Sequence, residues 1–177
     1  EDTSGMLPIL QKLDASTAYT FNYRSYGLSE GSASETNIYQ DALAIYDHVI
    51  KQYPEKNIMI VGHSLGSAVA GYVASMRAVD KLVLLAPLSS ISEIAYSKFN
   101  RAVPAFLVRH RFDLVNHARK VTAETLVIIG LCDTIIKNSF SFKTYKNITA
   151  KKHLLEVQNA GHNDLFKIDT TIEHINQ

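Results

Sequence analysis

The sequence predicts an α/β fold, with a mostly parallel sheet flanked by helices, and three observations support this prediction. Four short runs are predicted to be strands, residues 57–61, 80–85, 125–130 and 153–157, and the apolar runs 57–61 and 125–130 are predicted to be buried. Segments with helical periodicity separate these runs, and strands that alternate with helices are typical of a parallel sheet. Polar residues suited to catalysis directly follow three of the four runs.

Length and composition narrow the range of functions that the chain can have. The chain of 177 residues is predicted to form one domain, residues 1–177, and its net charge of +1 does not indicate a nucleic-acid partner. The single cysteine, Cys132, excludes an internal disulfide and favours a reducing compartment such as the cytoplasm. No apolar run approaches the roughly 20 residues of a membrane span. The histidines lack metal-ligand spacing, so neither a metal nor a cofactor is predicted.

Three elements precede or flank the first of these strands. Residues Met6–Leu13 are predicted to form a short helix, and residues Thr17–Arg24 a further strand. A longer helix is predicted over Ser34–Tyr53, where apolar residues recur at helical spacing and would face a sheet. The stretch Ser32–Glu35 has the form of a capping box at the start of this helix.

A Gly-x-Ser-x-Gly pentapeptide, Gly62–Gly66, joins the strand 57–61 to a helix of small residues. On such a strand-to-helix turn this pattern is a nucleophile elbow, where small residues on both sides expose the serine hydroxyl. We therefore predict that Ser64 is a nucleophile, and we interpret His63 as a packing residue. The backbone N–H of Leu65 is predicted to donate a hydrogen bond to an oxyanion.

A serine nucleophile needs a base, and the partners are expected in the chain order acid, then histidine. Asp133 stands just past the strand 125–130, and His162 lies in a short loop after the strand 153–157. Because the carboxyl ends of parallel strands meet at one edge of the sheet, we expect all three side chains there. His162 is the predicted general base and Asp133 the residue that orients it. Asp164 is predicted to cap the next helix and is kept as the alternative acid.

Residues 88–112, between the strands 80–85 and 125–130, form a predicted short helical lid. The segment mixes apolar side chains with a group of basic ones. This composition would suit an acyl chain with an anionic head group or a membrane surface. An ordinary helical insert with a solvated face is the favoured interpretation.

Four motifs together indicate a family. They are the stretch Phe21–Ser32, the pentapeptide Gly62–Gly66, the Arg-Phe-Asp of residues 111–113 and the Gly-His-Asn-Asp of residues 161–164. They resemble the α/β-hydrolase fold superfamily, in the branch that contains protein depalmitoylases and lysophospholipid lipases. The resemblance implies a serine hydrolase, although Asn22 and Ser25 replace the usual Asp and Gly of the first motif.

The resemblance also implies features that these residues do not contain. In the family, a loop with a His-Gly dipeptide lies just upstream of the first helix and supplies a second oxyanion donor, and no His-Gly dipeptide occurs here. We therefore expect residues 1–177 to be the C-terminal two-thirds of a hydrolase domain that lacks its N-terminal strands. Alone, they should fold and catalyse poorly. A membrane association would have to come from residues that precede them.

The sequence predicts hydrolysis of carboxylic esters or thioesters through an acyl-enzyme intermediate on Ser64. The expected partner is a small-molecule ester, thioester or lipid substrate. A peptidase is a less favoured possibility on the same residues, because the predicted lid has no evident peptide groove. The alternative from another class is a non-catalytic α/β-hydrolase-like binding module or an inactive fragment.

Overall fold

The computed structural model describes residues 10–15, 17–54, 57–98 and 109–177, and its centre is a four-stranded parallel sheet. The strands are β1 (Met59–His63), β2 (Lys81–Leu85), β3 (Glu124–Gly130) and β4 (Lys152–Val157), and they lie side by side in chain order. All three strand pairs are parallel, so the four carboxyl ends lie at one edge. The predicted α/β fold is confirmed, with β1 ending at His63 instead of Val61.

Helices cover both faces of this sheet. They are α1 (Glu35–Gln52), α2 (Leu65–Met76), α3 (Ile91–Lys98), α4 (Leu114–Ala118), α5 (Asn138–Asn147) and α6 (Asp169–Asn176), with a 3₁₀ turn at Leu165–Lys167. Strand residues such as Leu84 and Val127 share a core with α1, α2 and α4, whereas Leu85 and Ile128 share one with the 3₁₀ turn and α6. Burial on both faces explains the apolar sequences of the two central strands, β2 and β3.

Helix α1 does not use the capping box predicted at residues 32–35. Its N-cap is Ser34, whose hydroxyl accepts a first-turn N–H at 3.1 Å. The carboxylate of Glu35 instead accepts the backbone N–H groups of Arg111 and Phe112, at 2.8 and 2.9 Å. The prediction was wrong because a distant segment supplies the donors for Glu35. These bonds attach the end of the predicted lid to the start of α1.

Residues 17–24, predicted as a strand, lie outside the sheet. The segment is largely exposed, with Tyr19 and Phe21 at 45% and 40% exposure. A strand requires a neighbour that takes up its backbone N–H and C=O groups. Within the described ranges, β1 pairs only with β2, and residues 17–24 pair with no strand. The end of the segment is attached to α1 by a two-pronged ion pair between Arg24 and Asp41, at 2.7 Å for each contact.

The predicted lid at residues 88–112 is described only at its two ends. Helix α3 occupies part of the first half, and residues 99–108 lie outside the described residues. A hydrogen-bonded ion pair between Lys143 and Glu93 joins α5 to α3. A second contact runs from Lys137 Nζ, just before α5, to Ser97 Oγ at 2.7 Å. Helix α3 is therefore held against the loop that follows β3.

Two further expectations concern helices. Of the short helix predicted at Met6–Leu13, residues 6–9 lie outside the described residues, Leu10 is helical, and residues 11–12 form a turn. Among the helices of the described ranges, none combines the length and apolar character needed to cross a membrane.

Candidate active site

Ser64 occupies a strained turn between β1 and α2. Its backbone has φ 53° and ψ −120°, a region that residues with a side chain rarely adopt. The Ser64 N–H donates to the Leu85 carbonyl at 3.0 Å, which extends the pairing of β1 with β2. The Ser64 carbonyl accepts both the N–H and the hydroxyl of Ser67, at 3.0 and 2.5 Å. The surrounding hydrogen bonds thus hold the backbone of Ser64 in its strained conformation.

The two glycines that flank Ser64 are not equivalent. A Cβ at Gly62 would lie 2.4 Å from the Gly66 carbonyl oxygen and 2.7 Å from the Ala70 Cβ, so no side chain fits there. A Cβ at Gly66 would come no closer to its neighbours than 3.6 Å, the distance to the Tyr23 hydroxyl. The expectation of tight packing on both sides of the serine was therefore right for Gly62 and wrong for Gly66.

The N-terminus of α2 directly follows Ser64. The first N–H groups of a helix lack intrahelical acceptors and carry partial positive charge. Leu65 is the first residue of this 12-residue helix, so its N–H is one of these groups. The side chain of Ser64 does not cap the helix. The Ser64 hydroxyl therefore does not take up any N–H group of the first turn of α2.

His162 and Asp133 form a buried pair. The Nδ1 atom of His162 lies 2.7 Å from Oδ2 of Asp133, and their side chains are only 7% and 2% exposed. Because a carboxylate can only accept, the His162 Nδ1 carries the proton of this bond. In the neutral ring, Nε2 is then free to accept a proton. The contact between these two residues is present as expected, and their catalytic roles stay a prediction.

The Asp133 carboxylate is fixed by further contacts on its other oxygen. Oδ1 accepts the backbone N–H groups of Ile135 and Ile136, at 2.8 and 2.9 Å. The Asp133 N–H itself donates to the Gly130 carbonyl at 3.1 Å, at the end of β3. Three hydrogen bonds to the carboxylate therefore hold its plane, and with it the direction in which Oδ2 meets His162.

Asp164 has a different role from either of those considered for it. Its Oδ2 accepts the backbone N–H of Gly161 at 3.0 Å, and the Asp164 side chain makes no capping bond to the 3₁₀ turn that follows. The predicted capping role was therefore wrong, because the carboxylate bonds to the preceding residues. This bond closes the tight turn that carries His162. Among the described residues, the carboxylate that contacts His162 is that of Asp133.

Backbone contacts bring the loop after β3 against the loop after β4. The Leu131 N–H donates to the Val157 carbonyl at 3.0 Å, and the Cys132 N–H donates to the Ala160 carbonyl at 2.9 Å. A Cβ at Gly130 would lie 2.5 Å from the Ala160 carbonyl oxygen, so the two loops touch there. The contacts between β3 and β4 thus continue past the strands and bring Asp133 to His162.

The structure also gives His63 a contact that the sequence analysis missed. The ring nitrogen Nε2 of His63 lies 3.0 Å from the backbone carbonyl oxygen of His162. The position of His63 beside Ser64 was the available signal. The partner lies 99 positions away in the chain, so no local pattern could identify it.

A cleft elsewhere on the surface is separate from this site. It has a volume of about 420 Å³ and is lined by Glu93 and three neighbours, Tyr96, Ser97 and Phe140, from α3 and α5. None of the three candidate catalytic residues lines it. In the parts of the chain that the structure describes, no group of three or more His, Cys, Asp or Glu side chains could hold a metal ion.

Two family models match this chain. The model described as Serine aminopeptidase, S33, matches residues 14–112, which is more than half of the chain. The model described as Acetyl xylan esterase (AXE1) matches residues 94–175.

Similar proteins agree with the first match. The alpha/beta hydrolase domain-containing protein 17C of Mus musculus is 30% identical over 162 residues, which are 90% of this chain and 49% of that protein. The chain thus spans about half the length of the curated relatives it matches. This relative bears out the family resemblance of the sequence motifs.

Solved structures show the same fold. The structure of Est1E from Butyrivibrio proteoclasticus with ferulic acid bound has a TM-score of 0.71 at 19% identity, over 88% of this chain and 72% of that one. The Paleococcus ferrophilus monoacylglycerol lipase has a TM-score of 0.61 at 18% identity, over 88% of this chain and 83% of that one. The solved structures show the α/β-hydrolase fold, and the family model shows that the chain belongs to the serine aminopeptidase S33 family.

Proposed function

We propose that this protein hydrolyses carboxylic esters or thioesters through an acyl-enzyme intermediate on Ser64. One observation carries the proposal: a buried His162–Asp133 pair lies at the sheet edge where the strained turn presents Ser64. Membership of a hydrolase family supports it. The second family model and one of the similar structures are named for ester-cleaving enzymes, an acetyl xylan esterase and a monoacylglycerol lipase.

Acylation would use each of the residues in turn. Nε2 of His162 removes the proton from the Ser64 hydroxyl as its oxygen attacks the substrate carbonyl carbon. Negative charge develops on the carbonyl oxygen, and the Leu65 N–H donates a hydrogen bond to it. The tetrahedral intermediate then expels the alcohol or thiol, which takes the proton from His162. Asp133 stabilises the imidazolium that exists between these two proton transfers.

Deacylation would repeat these steps with water as the nucleophile. His162 removes a proton from the water, whose oxygen attacks the acyl carbon of the ester on Ser64. Collapse of the second intermediate releases the carboxylic acid and returns the proton to the Ser64 oxygen. The buried Asp133–His162 contact suits this role, because the ring must keep one orientation through both halves of the cycle.

The substrate class follows from the resemblance of the sequence motifs and from the similar proteins. The branch with protein depalmitoylases and lysophospholipid lipases favours an acyl thioester or a lipid ester. The family model named for an aminopeptidase favours a second candidate, hydrolysis of an aminoacyl amide on the same residues. A third candidate is a non-catalytic module, favoured by the edge of β1 that pairs with no strand among the described residues and by the absence of residues 17–24 from that sheet.

A fluorophosphonate probe and three substrates separate these candidates. We expect the probe to label Ser64 in the wild-type protein, with no labelling in Ser64→Ala. The control is Ser75→Ala, which removes a hydroxyl from the other end of the same helix, where it bonds to the Tyr72 carbonyl, and should label normally. An unlabelled wild-type protein, or a label on another serine, would contradict the proposal.

Turnover of a p-nitrophenyl ester and an acyl thioester, but not of an aminoacyl p-nitroanilide, would exclude the aminopeptidase.

A further inference from the structure

His63 joins the strand that leads to the serine to the loop that carries the base. It is the last residue of β1 and directly precedes Ser64. Its Nε2 lies 3.0 Å from the backbone carbonyl oxygen of His162. Along the chain, 98 residues separate His63 from His162, so this hydrogen bond links two segments that are far apart in the sequence.

The hydrogen bond to a carbonyl oxygen determines which nitrogen of the His63 ring carries a hydrogen. A carbonyl oxygen can only accept, so Nε2 of His63 carries the hydrogen and donates it. Burial lowers the pKa of His63, and the nearby His162 ring lowers it further. The hydrogen bond to the carbonyl and the charge of Asp133 act in the opposite direction but are outweighed. The ring is therefore neutral near neutral pH. A neutral donor can lie beside His162 without repelling the imidazolium that forms during the reaction.

Ring contacts add to the hydrogen bond. The centroid of the His63 ring lies 4.7 Å from that of His162, with 42° between the planes. It also lies 4.7 Å from the ring of Phe166, in an edge-to-face arrangement at 71°. His63 thus touches the base and a residue of the 3₁₀ turn that follows it. It contacts the segment that carries His162 at two points.

We propose that His63 is a positioning residue that sets the placement of His162 relative to Ser64. The inference rests on the proposed function of these two residues. The hydrogen bond that His162 donates to Asp133 holds one ring nitrogen but does not by itself prevent the ring from turning about that bond. The bond from His63 fixes the backbone of His162, and the ring contact restricts the turn. A displacement of 1 Å between reacting groups can cost about 100-fold in rate, so such restraints matter to catalysis.

Three substitutions of His63 distinguish the effect of its hydrogen bond from the effect of its ring contacts. His63→Phe keeps a ring against His162 and Phe166 but removes the donor. His63→Gln keeps an N–H donor but removes the ring, and His63→Ala removes both. The control is His153→Gln, which changes an exposed histidine bonded to Glu124 on β3. Each variant is compared with wild type by ester turnover, thermal melting and the low-field proton resonance of the His162–Asp133 hydrogen bond.

We expect His63→Phe and His63→Ala to lower kcat about 10- to 100-fold while KM changes less than about threefold. His63→Gln should recover part of the loss, and the low-field proton should exchange faster with water in the Ala variant. The His153→Gln control should match wild type. Retention of kcat within about twofold in both the Phe and Ala variants, absence of any rescue by Gln, or loss of the folded state in all three would overturn the proposal.

The design also distinguishes failure of this inference from failure of the proposed function. If Ser64→Ala abolishes turnover while the His63 variants match wild type, only the positioning role is wrong. If Ser64→Ala retains wild-type turnover, the proposed function itself is wrong. In that case the proton resonance of the His162–Asp133 bond still reports whether His63 holds His162 in place.

Discussion

Asp133 meets His162 with one carboxylate oxygen and is held by the main chain with the other. Oδ2 lies 2.7 Å from the His162 Nδ1, and Oδ1 accepts the N–H groups of Ile135 and Ile136. The orientation of the His162 ring therefore depends on the turn that follows β3. This relationship leads to the first prediction.

Asp133→Asn should lower kcat for a p-nitrophenyl ester by about 10⁴, the cost of the equivalent amide substitution in a serine protease, because the amide stabilises the wrong tautomer. The control is Asp164→Asn, whose amide oxygen can still accept the Gly161 N–H, and it should cost less than about tenfold. Steady-state kinetics of the two variants check this order. A larger loss in the Asp164 variant would refute the assignment of the acid.

The second prediction concerns the backbone strain at Ser64. At φ 53° a side chain costs about 1–3 kcal/mol, and glycine avoids this cost. Ser64→Gly should therefore be about 1 kcal/mol more stable than Ser64→Ala in urea unfolding, although both lack the hydroxyl.

Ser67 lies three residues further along the chain, inside α2, and provides a control for which the opposite order of stability is expected. Inside a helix, glycine is about 1 kcal/mol less favourable than alanine, so Ser67→Gly should be less stable than Ser67→Ala. If the glycine variant were less stable than the alanine variant at both positions, the backbone of Ser64 would not be strained in solution.

The third prediction concerns the pH dependence of stability. Burial lowers the pKa of His117, whose ring lies edge-on to Tyr39 and Tyr72, although the charge of Asp113 opposes the shift. The unfolded chain, with an ordinary histidine pKa near 6.5, then binds the proton more readily than the folded one. The contribution of His117 to stability is complete above about pH 6.5 and is lost as the pH falls below it.

The measurement compares wild type with His117→Phe by urea unfolding between about pH 5.5 and 7.5. The free energy of unfolding of the wild type should fall toward the acid end, and less steeply in the variant. His63 has its pKa lowered in the same direction, so some pH dependence should remain in the variant. Equal slopes in the two proteins would contradict the prediction.

The sequence predicted the parts of the structure that depend on short stretches of the chain. The four strands predicted from short segments are all present in the sheet, although only β2 and β3 are buried along most of their length and β4 contains His153 and Glu156 among its apolar residues. The order of Ser64, Asp133 and His162 along the chain, each just past a strand, was enough to predict that they meet at one edge. Parallel strands bring their carboxyl ends together whatever the helices between them contain.

The tertiary structure decided the features whose partners lie far apart in the chain. Residues 17–24 have the composition of a strand, but an extended segment becomes one only beside a neighbour that takes up its hydrogen bonds. Glu35 accepts its two hydrogen bonds from residues 76 and 77 positions away. His63 donates its hydrogen bond across 99 positions. A local sequence pattern contains each group but not its partner, so only the folded chain determines which donor meets which acceptor.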